Sequence, residues 1–197
     1  MSPSMNRRNF LEVTGKGGML LLSTVFLPPR LLAATTATAT ATADAGGFAP
    51  NIFVRLDAQG QVTVICHLSE MGQRVRTSVA QVIADELEAD WSRVQVEPAV
   101  GDAKYGTQNP AGSRSIRPTL TRLREAGAAG RMLLEQAAAQ RWRVPASECK
   151  AQQHKVVHAA SGRSLAYGAL VADAAKLSAP ATETLVLKDR KDWHYIG

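Results

Sequence analysis

A switch in apolar period, from two residues to about 3.6, constrains the fold of this chain more than any other feature of its sequence. Residues 52–56 and 62–67 are β-rich runs, and the Asp and Gly of residues 57–60 between them favour a tight reversal. Over residues 75–90, apolar side chains recur on one face of a helix. The sequence therefore predicts a β-hairpin with a helix laid on it.

The next stretch predicts a strand, a loop and a long helix. Residues 94–97 alternate in polarity as a strand does, and residues 101–112 are rich in Gly, Asp, Asn and Pro, which favours a long surface loop. Ser115 is predicted to cap a helix over residues 118–141, whose first residue is proline. Small side chains at residues 126–130 predict close packing of this helix against a sheet or another subunit.

The remaining residues predict shorter elements. Strand-like runs lie around Ala151 and residues 156–157, residues 161–162 favour a turn, and residues 167–176 favour a helix. Residues 185–197 are extended in character. Together these elements predict an α+β fold, in which a mixed sheet carries helices packed on one face.

Residues 1–45 have the composition of an export signal followed by a spacer. Arg7 and Arg8 precede an aromatic residue and a leucine, and the apolar run of residues 19–27 is shorter than the roughly 20 residues of a membrane-spanning helix. No permanent membrane span is therefore expected. Ala-x-Ala motifs predict cleavage within residues 34–43, and an Ala/Thr-rich spacer follows.

The paired arginines resemble those of twin-arginine signals, whose route exports proteins already folded and often loaded with a cofactor. The alternative is a general secretory signal with two chance arginines, which Lys16 and the weak apolar run disfavour. The chain is therefore predicted to reach the periplasm by the twin-arginine route. Residues 46–197 are predicted to form the mature domain.

The net charge of +6 does not indicate a nucleic-acid partner. Part of it comes from the leader, where Arg7, Arg8, Lys16 and Arg30 outnumber Glu12. The remaining charges are interspersed and form no basic tract. No binding of nucleic acid is expected.

The cysteines, histidines and motifs indicate no metal site of the chain's own. Cys66 and Cys149 share no CxxC spacing, and two buried free thiols are favoured over a disulfide between them. His154 and His158 lie four residues apart in a hairpin-like stretch, so surface or structural roles are favoured over metal binding. GxSxG, HExxH, GxxxxGK[ST] and GxGxxG are absent, and no catalytic or metal-ligating residue is assigned.

Two loops place glycine and polar groups before a helix. Residues 69–73 lead into the first helix and residues 111–115 into the long one. Free N–H groups at a helix start can hold an anion or a polar ligand, and Gln73 offers both a donor and an acceptor. The alternative is that both loops are ordinary helix caps and turns, which most helical proteins contain.

The same two loops carry a resemblance to a known family. SEMGQ at residues 69–73, followed by ADEL at residues 84–87, resembles the EMGQG segment of the large subunits of molybdenum hydroxylases. These subunits form the xanthine dehydrogenase and aldehyde oxidase superfamily. GSRS at residues 112–115 resembles the second cofactor-contacting loop of that superfamily.

Further segments are similar to the isoquinoline 1-oxidoreductase beta-subunit type in particular. They are DWSRV at residues 90–94, YG at residues 167–168 and LKD at residues 187–189. The resemblance covers residues 49–197, and it identifies residues 46–197 as an N-terminal segment of a molybdopterin-binding domain. Because family members are much longer, we expect this segment to be truncated.

The resemblance implies an oxidoreductase that hydroxylates heteroaromatic compounds or oxidises aldehydes with water as the oxygen source. It implies molybdopterin cytosine dinucleotide with molybdenum as the cofactor. The implied partners are a small subunit with two [2Fe-2S] clusters and the remaining part of the large subunit. The residues implied in cofactor binding lie in the two loops: Met71, Gly72 and Gln73 toward the pterin end, and Gly112, Ser113 and Ser115 toward the dithiolene or phosphate side.

The sequence departs from the family at two points. Arg74 stands where the family usually has glycine, so it either clamps a phosphate or blocks the pocket. The family's catalytic glutamate lies in a region that does not match this chain, so the isolated chain is expected to be inactive. The alternative hypothesis is a catalytically inactive periplasmic binding or assembly module derived from the family.

Overall fold

The computed structural model describes residues 47–196. In this range one sheet has the strand order β1-β2-β3-β4, with β1 at Phe48–Asn51, β2 at Val54–Leu56, β3 at Val62–Cys66 and β4 at Val94–Pro98. β2 is antiparallel to β1 and β3, whereas β4 is parallel to β3. The predictions for residues 1–45, including the export signal and its cleavage, lie outside the described residues.

Helix α1, Val75–Leu87, makes the crossover between the parallel strands β3 and β4. Their pairing runs from Val62 opposite Val94 to Cys66 opposite Pro98, so both strands end at the same edge of the sheet. The loops that follow the two strands therefore leave the sheet next to each other. The predicted strand at residues 94–97 is confirmed.

The predicted hairpin is confirmed for β2 and β3. Asp57 builds its turn, because the side-chain Oδ1 accepts hydrogen bonds from the main-chain N–H of Gln59 at 2.9 Å and of Gln61 at 2.8 Å. Gly60 supplies the positive φ of 84° that the reversal needs. Strand β1 was not predicted, because four residues that include a proline are too few to show a clear alternation.

Helix α2, Leu120–Trp142, packs against α1 through its small residues. A Cβ atom at Gly127 would lie 2.6 Å from the carbonyl oxygen of Ile83 and 2.7 Å from Cβ of Glu86. Only glycine allows the two helices to approach this closely. The predicted close packing is therefore confirmed, but its main partner is a helix of the same chain rather than the sheet or second subunit that the sequence suggested.

The predicted cap of this helix by Ser115 is wrong. α2 begins at Leu120, and Thr119 at the N-cap position makes no side-chain capping hydrogen bond. Ser115 lies in a series of turns before the helix, and its carbonyl accepts a hydrogen bond from Thr119 Oγ1 at 2.6 Å. The left-handed backbone at Gly112 and Ser113 directs the chain into these turns, so the helix starts later than the sequence pattern suggested.

A second sheet follows α2, and it is antiparallel throughout. Its strands are β5 at Cys149–Gln152, β6 at Lys155–His158 and β7 at Arg163–Ala166, and helix α3 at Tyr167–Ala174 comes next. The two predicted strand runs and the helix are confirmed, whereas β7 was not predicted. The whole arrangement is the predicted α+β fold.

His154 ties this second sheet to the first. Its Nε2 lies 2.7 Å from the carbonyl oxygen of Gly60, and its Nδ1 accepts a hydrogen bond from the main-chain N–H of Asp90 at 3.3 Å. Burial lowers the pKa of His154, so the ring is neutral and Nε2–H donates to Gly60. The structural role that the sequence favoured for His154 is confirmed.

The hydrophobic core lies between the four-stranded sheet and the helices. Val64 of β3, Ile83 of α1 and Leu134 of α2 are completely buried in it. Cys66 and Cys149 are buried free thiols, as predicted. In the part of the chain that the structure describes, no helix combines the length and apolar character needed to cross a membrane.

The C-terminal end of α1 holds residues 185–196 through buried charges. Asp85 and Glu86 are both 0% exposed. Asp85 Oδ1 pairs with Lys188 Nζ at 2.9 Å, and Glu86 Oε2 accepts a hydrogen bond from the main-chain N–H of Lys188 at 3.1 Å. The predicted extended segment is therefore fixed against the domain at the end of α1, and it contains a short helical turn at Arg190–Asp192.

Candidate functional site at the carboxyl ends of the parallel strands

The two loops singled out in the sequence emerge at one edge of the sheet. Loop 1, residues 67–74, joins β3 to α1, and loop 2, residues 99–119, joins β4 to α2. In open α/β sheets, ligands bind beyond the carboxyl ends of the parallel strands, and the parallel pair of β3 and β4 in this sheet offers such an edge. Both loops therefore start at the same edge of the sheet, as expected for neighbouring parallel strands of a βαβ unit.

Loop 1 is closed by the side chain of Glu70. Its Oε1 accepts hydrogen bonds from the main-chain N–H of Gly72 at 2.8 Å and of Arg74 at 2.9 Å, and Oε2 accepts from Arg76 N–H at 3.2 Å. These are the donors that the start of a helix offers to an anion. In this conformation the chain's own carboxylate holds the position that a ligand's anion would take.

The amide of Gln73 is also engaged within loop 1. Its Nε2 donates to the Ser69 carbonyl at 2.8 Å, and its Oε1 accepts from the Met71 N–H at 2.5 Å. Met71 projects outward and is 71% exposed. Gly72 has φ of 97° with no atom within 4 Å of a Cβ built on it, so the glycine serves the backbone conformation and leaves open space beside it.

Arg74 has an unusual backbone for a residue with a side chain. Its φ of 60° lies in the left-handed region, which costs roughly 1–2 kcal/mol for a residue other than glycine. The side chain is exposed and lies at the start of α1. The glycine that the family pattern has here would adopt this conformation without strain.

Loop 2 presents an open stretch of main chain. Gly112 and Ser113 have φ of 66° and 59°, and among the described residues neither N–H has a hydrogen-bond partner. The nearest side-chain atom to a Cβ built on Gly112 is Nε of Arg114, at 4.0 Å. Ser115 Oγ lies 3.4 Å from the Pro110 carbonyl. The left-handed backbone at Gly112 and Ser113 thus leaves two main-chain N–H groups free to donate to a ligand.

A cluster of side chains beneath loop 2 supports it, and its members are Phe53, His67, Tyr105 and Arg122. Tyr105 packs near Phe53, with ring centroids 6.0 Å apart, and Arg122 of α2 donates to the Tyr105 carbonyl at 2.8 Å. His67 is only 3% exposed, and its Nδ1 has no hydrogen-bond partner among the described residues. Burial lowers the pKa of His67, and the charge of Arg122 lowers it further, so this ring is neutral. Sequence reasoning did not assign these residues to the site, since no local pattern marks them.

One further set of polar side chains lies away from this edge. His158 contacts Glu148 Oε2 at 2.8 Å through Nε2 and Ser161 Oγ at 2.6 Å through Nδ1. The Ser161 oxygen also accepts a hydrogen bond from Arg163 Nε at 2.7 Å. This hydroxyl is held in the turn between β6 and β7, and the set fixes that turn.

The comparisons with known proteins decide the family. Residues 30–194 match the molybdopterin cofactor-binding domain family. The chain belongs to this family. The recognition drawn from the two loops is therefore confirmed.

Two relatives of established identity extend this result. The chain is 38% identical over 175 residues to isoquinoline 1-oxidoreductase subunit beta of Brevundimonas diminuta, which covers 85% of this chain and 22% of the relative. It is 35% identical over 127 residues to the membrane-bound aldehyde dehydrogenase [pyrroloquinoline-quinone] of Gluconacetobacter polyoxogenes, which covers 64% of this chain and 16% of that protein. The chain thus spans about a fifth of the length of the curated relatives that it matches.

A solved structure shares the fold. Quinoline 2-oxidoreductase from Pseudomonas putida 86 superposes with a TM-score of 0.50 and 24% sequence identity, covering 60% of this chain and 15% of that chain. This likeness concerns the fold of the domain.

The site residues fit a molybdopterin group unequally. Loop 2 offers the free N–H groups of Gly112 and Ser113 and open space at the glycine, as close main-chain contact with a cofactor requires. In loop 1 the space beside Gly72 is open, but Glu70 and Gln73 already use their polar groups within the loop. Binding at loop 1 therefore requires these hydrogen bonds to exchange for bonds to the cofactor. In the described residues, no group of His, Cys, Asp or Glu side chains is arranged to hold a metal ion.

Proposed function

We propose that this domain holds molybdopterin cytosine dinucleotide between loop 1 and loop 2, as the N-terminal part of a molybdenum-dependent oxidoreductase. Met71, Gly72 and Gln73 contact the pterin end in this proposal, and Gly112, Ser113 and Ser115 contact the dithiolene or phosphate side. The observation that carries it is the emergence of both loops from the ends of parallel neighbours β3 and β4.

In this proposal the cofactor carries out the chemistry, and hydrogen-bond donors of the chain bind and orient it. When bound, the molybdenum group supplies the oxidation chemistry, with water as the source of oxygen. The free N–H groups of Gly112 and Ser113 bind and orient negatively polarised atoms of the cofactor. Gln73 exchanges its bonds to Ser69 and Met71 for bonds to the pterin, to which it can both donate and accept.

The wider assembly is proposed from the relatives. The substrates are heteroaromatic compounds or aldehydes, which the names of the two curated relatives suggest. A small subunit with [2Fe-2S] clusters takes the electrons, and the remaining part of a large subunit completes the substrate pocket. The protein is exported to the periplasm by the twin-arginine route, so replacing Arg7 and Arg8 with lysine should leave it in the cytoplasm, as measured by fractionation.

A pair of matched glycine variants tests cofactor binding. The chain is produced with its partner subunits in a host that makes the dinucleotide, and molybdenum, pterin and released CMP are measured per protein. Gly112→Ala should lose most of all three, because its Cβ enters the space for the cofactor. Gly162→Ala is the control, since Gly162 has the same φ of 66° and equally open surroundings in the β6–β7 turn.

The result that would overturn the proposal is an assembled wild-type protein that contains neither pterin nor molybdenum. Equal retention by the two glycine variants would also remove loop 2 from the site.

A catalytically inactive binding or assembly module is the second candidate. The closure of loop 1 by Glu70 and the strained Arg74 favour it. A module of this kind would retain the pterin or bind its partners, yet the assembled protein would not turn over any heteroaromatic compound or aldehyde. An assay of the assembled protein with quinoline, isoquinoline and a series of aldehydes separates the two candidates.

A further inference from the structure

The parallel pairing of β3 and β4 ends just below the two loops. The N–H of Ala99 donates to the Cys66 carbonyl at 2.8 Å, directly after the last paired residues. Beyond this bond come the carbonyls of His67 and Val100, one at the base of each loop. These two carbonyls are hydrogen-bond acceptors that strand pairing does not satisfy, so a donor between them is required to hold the bases of the loops together.

Gln108 supplies that donor from within loop 2. Its Nε2 donates to the His67 carbonyl and to the Val100 carbonyl, both at 3.0 Å. Its Oε1 accepts a hydrogen bond from the main-chain N–H of Asp102 at 3.1 Å. A primary amide has two N–H hydrogens, so each carbonyl receives one, and the orientation of the amide is fixed by its three partners.

The surroundings of Gln108 set it apart from the rest of loop 2. It is half-buried in a stretch where most residues are exposed. The other anchor of this stretch is Tyr105, which Arg122 holds from α2. Tyr105 fixes loop 2 to the helix layer, whereas Gln108 fixes it to the base of loop 1. Gln108 therefore connects the two loops directly.

We propose that Gln108 is a positioning residue that sets the spacing between loop 1 and loop 2 for cofactor binding. The proposal rests on the proposed function as far as the cofactor is concerned. The mechanical part, that one amide couples the two loops, stands on the hydrogen bonds alone. A merely local role would stabilise residues 100–108 and leave loop 1 unaffected.

Hydrogen exchange of the full chain without cofactor tests the coupling. The variant is Gln108→Glu, which keeps the shape but turns an oxygen toward two carbonyl oxygens. Exchange should accelerate about tenfold at the hydrogen-bonded amides of Met71, Gly72 and Arg74 as well as in loop 2, because two hydrogen bonds are lost and a repulsion is introduced. Gln108→Met removes the donors without adding charge and carries the same test if Gln108→Glu does not fold.

Gln61→Glu is the matched control. The Gln61 side chain also donates to a main-chain carbonyl, that of Arg93 at 2.7 Å, but it lies at the start of β3, away from the two loops. Exchange in loop 1 should match that of the wild type. Acceleration confined to residues 100–108 in both Gln108 variants would overturn the proposal.

The rate of pterin release from the assembled protein is the second readout. It should rise about tenfold in the Gln108 variants and stay unchanged in Gln61→Glu, because the two loops no longer hold one spacing. If the wild-type protein holds no pterin, the proposed function fails while the exchange result still tests the coupling. If pterin release is unchanged although loop 1 exchanges faster, the role of Gln108 in cofactor positioning is overturned and the proposed function stands.

Discussion

The two ends of α1 use the same chemistry for different purposes. At its start, Glu70 accepts hydrogen bonds from three main-chain N–H groups, two in loop 1 and one in the first turn of α1. At its end, Asp85 Oδ2 also accepts from three, those of His194, Tyr195 and Ile196 at 2.9, 2.7 and 3.1 Å. Glu70 is partly exposed to solvent, whereas Asp85 is completely buried and paired with Lys188.

The difference shows which carboxylate is exchangeable. Water can reach a partly exposed carboxylate and replace its partners at lower cost than in the core, so we expect a ligand's anion to be able to displace Glu70. A buried carboxylate that loses its partners keeps the full cost of its lost hydration. We therefore interpret the start of α1 as the adaptable end that meets a ligand and the end of α1 as fixed scaffold.

The largest expected effect is at the scaffold end. Asp85→Asn removes one of the two carboxylates that pair with the buried Lys188 Nζ, the other being Glu88, and it also removes the charge that holds three main-chain N–H groups. It should therefore lower the free energy of unfolding by about 3–5 kcal/mol. Urea denaturation of the full chain measures this value. Asp173→Asn is the control, since Asp173 pairs with Arg141 at the surface and should cost at most about 1 kcal/mol. Similar losses in the two variants would contradict the distinction.

Packing at the same end gives the next effect. Gly127→Ala should destabilise the protein by about 1–3 kcal/mol, because the new Cβ would meet the Ile83 carbonyl and Glu86 of α1. Gly130→Ala is the comparison, since its Cβ would lie 3.0 Å from Cδ1 of Leu87, which is the end of a side chain and not main chain. A shift of this methyl group by a fraction of an ångström would relieve the contact, so the gain in helix propensity should leave Gly130→Ala close to neutral. Thermal unfolding of both variants measures the two effects. A larger loss of stability in Gly130→Ala than in Gly127→Ala would contradict this explanation.

The dependence of stability on pH separates the two carboxylates. Burial raises the pKa of Asp85, but hydrogen bonds from Lys188 and from the Tyr195 and Ile196 N–H groups outweigh it, so the folded pKa lies below the ordinary value. The stabilisation is therefore complete above the unfolded pKa of about 3.9 and is lost as pH falls through the lower folded pKa. Asp85→Asn should flatten the fall in stability between about pH 5 and pH 2, as measured by urea titrations.

Glu70→Gln gives the contrasting measurement. Loss of hydration raises the pKa of Glu70, but the N–H groups of Arg76, Arg74 and Gly72 lower it below its ordinary value overall. The sign of its pH dependence is thus the same as for Asp85, but solvent reaches and screens the partly exposed Glu70, so the change in slope should be smaller. A larger change for Glu70→Gln than for Asp85→Asn would reverse the assignment of adaptable and fixed ends.

The smallest effect is expected at Arg74. Arg74→Gly should stabilise the protein by about 0.5–1 kcal/mol, because glycine adopts the left-handed backbone without strain. Arg76→Gly, two residues further into α1, should instead cost about 1 kcal/mol. Thermal unfolding distinguishes the two, and equal destabilisation would show that Arg74 contributes contacts that outweigh its strain.

The sequence predicted most of the elements because their signals are local. The hairpin at β2 and β3, helix α1 and strand β4 follow from apolar spacing and from the Asp57 turn. β1 and β7 were not predicted, because four-residue strands carry too little pattern. The start of α2 was misplaced, because Ser115 has a capping residue's identity and the backbone around it does not form a helix.

Part of the candidate site could likewise be predicted from local sequence, and part of it could not. Its two loops could be found from their glycines and polar residues, and the family resemblance drawn from them is confirmed. The contribution of Gln108 could not be found, because its partner His67 lies 41 residues away in loop 1 and no local pattern predicts its second hydrogen bond, to Val100 within loop 2. The sequence also did not indicate that Asp85 and Glu86, the two carboxylates of ADEL at residues 84–87, are completely buried.

The amino-acid sequence by itself determined the element types, the free cysteines and the family, since each depends on residue identity and short-range spacing. Only the tertiary structure decided that β4 lies parallel to β3, which brings the two loops to one edge. It also decided that Glu70 stays partly exposed while Asp85 is completely buried, although both accept three main-chain hydrogen bonds. The physical reason is that burial and strand pairing depend on contacts with segments that are distant in sequence. A local sequence pattern does not specify those contacts.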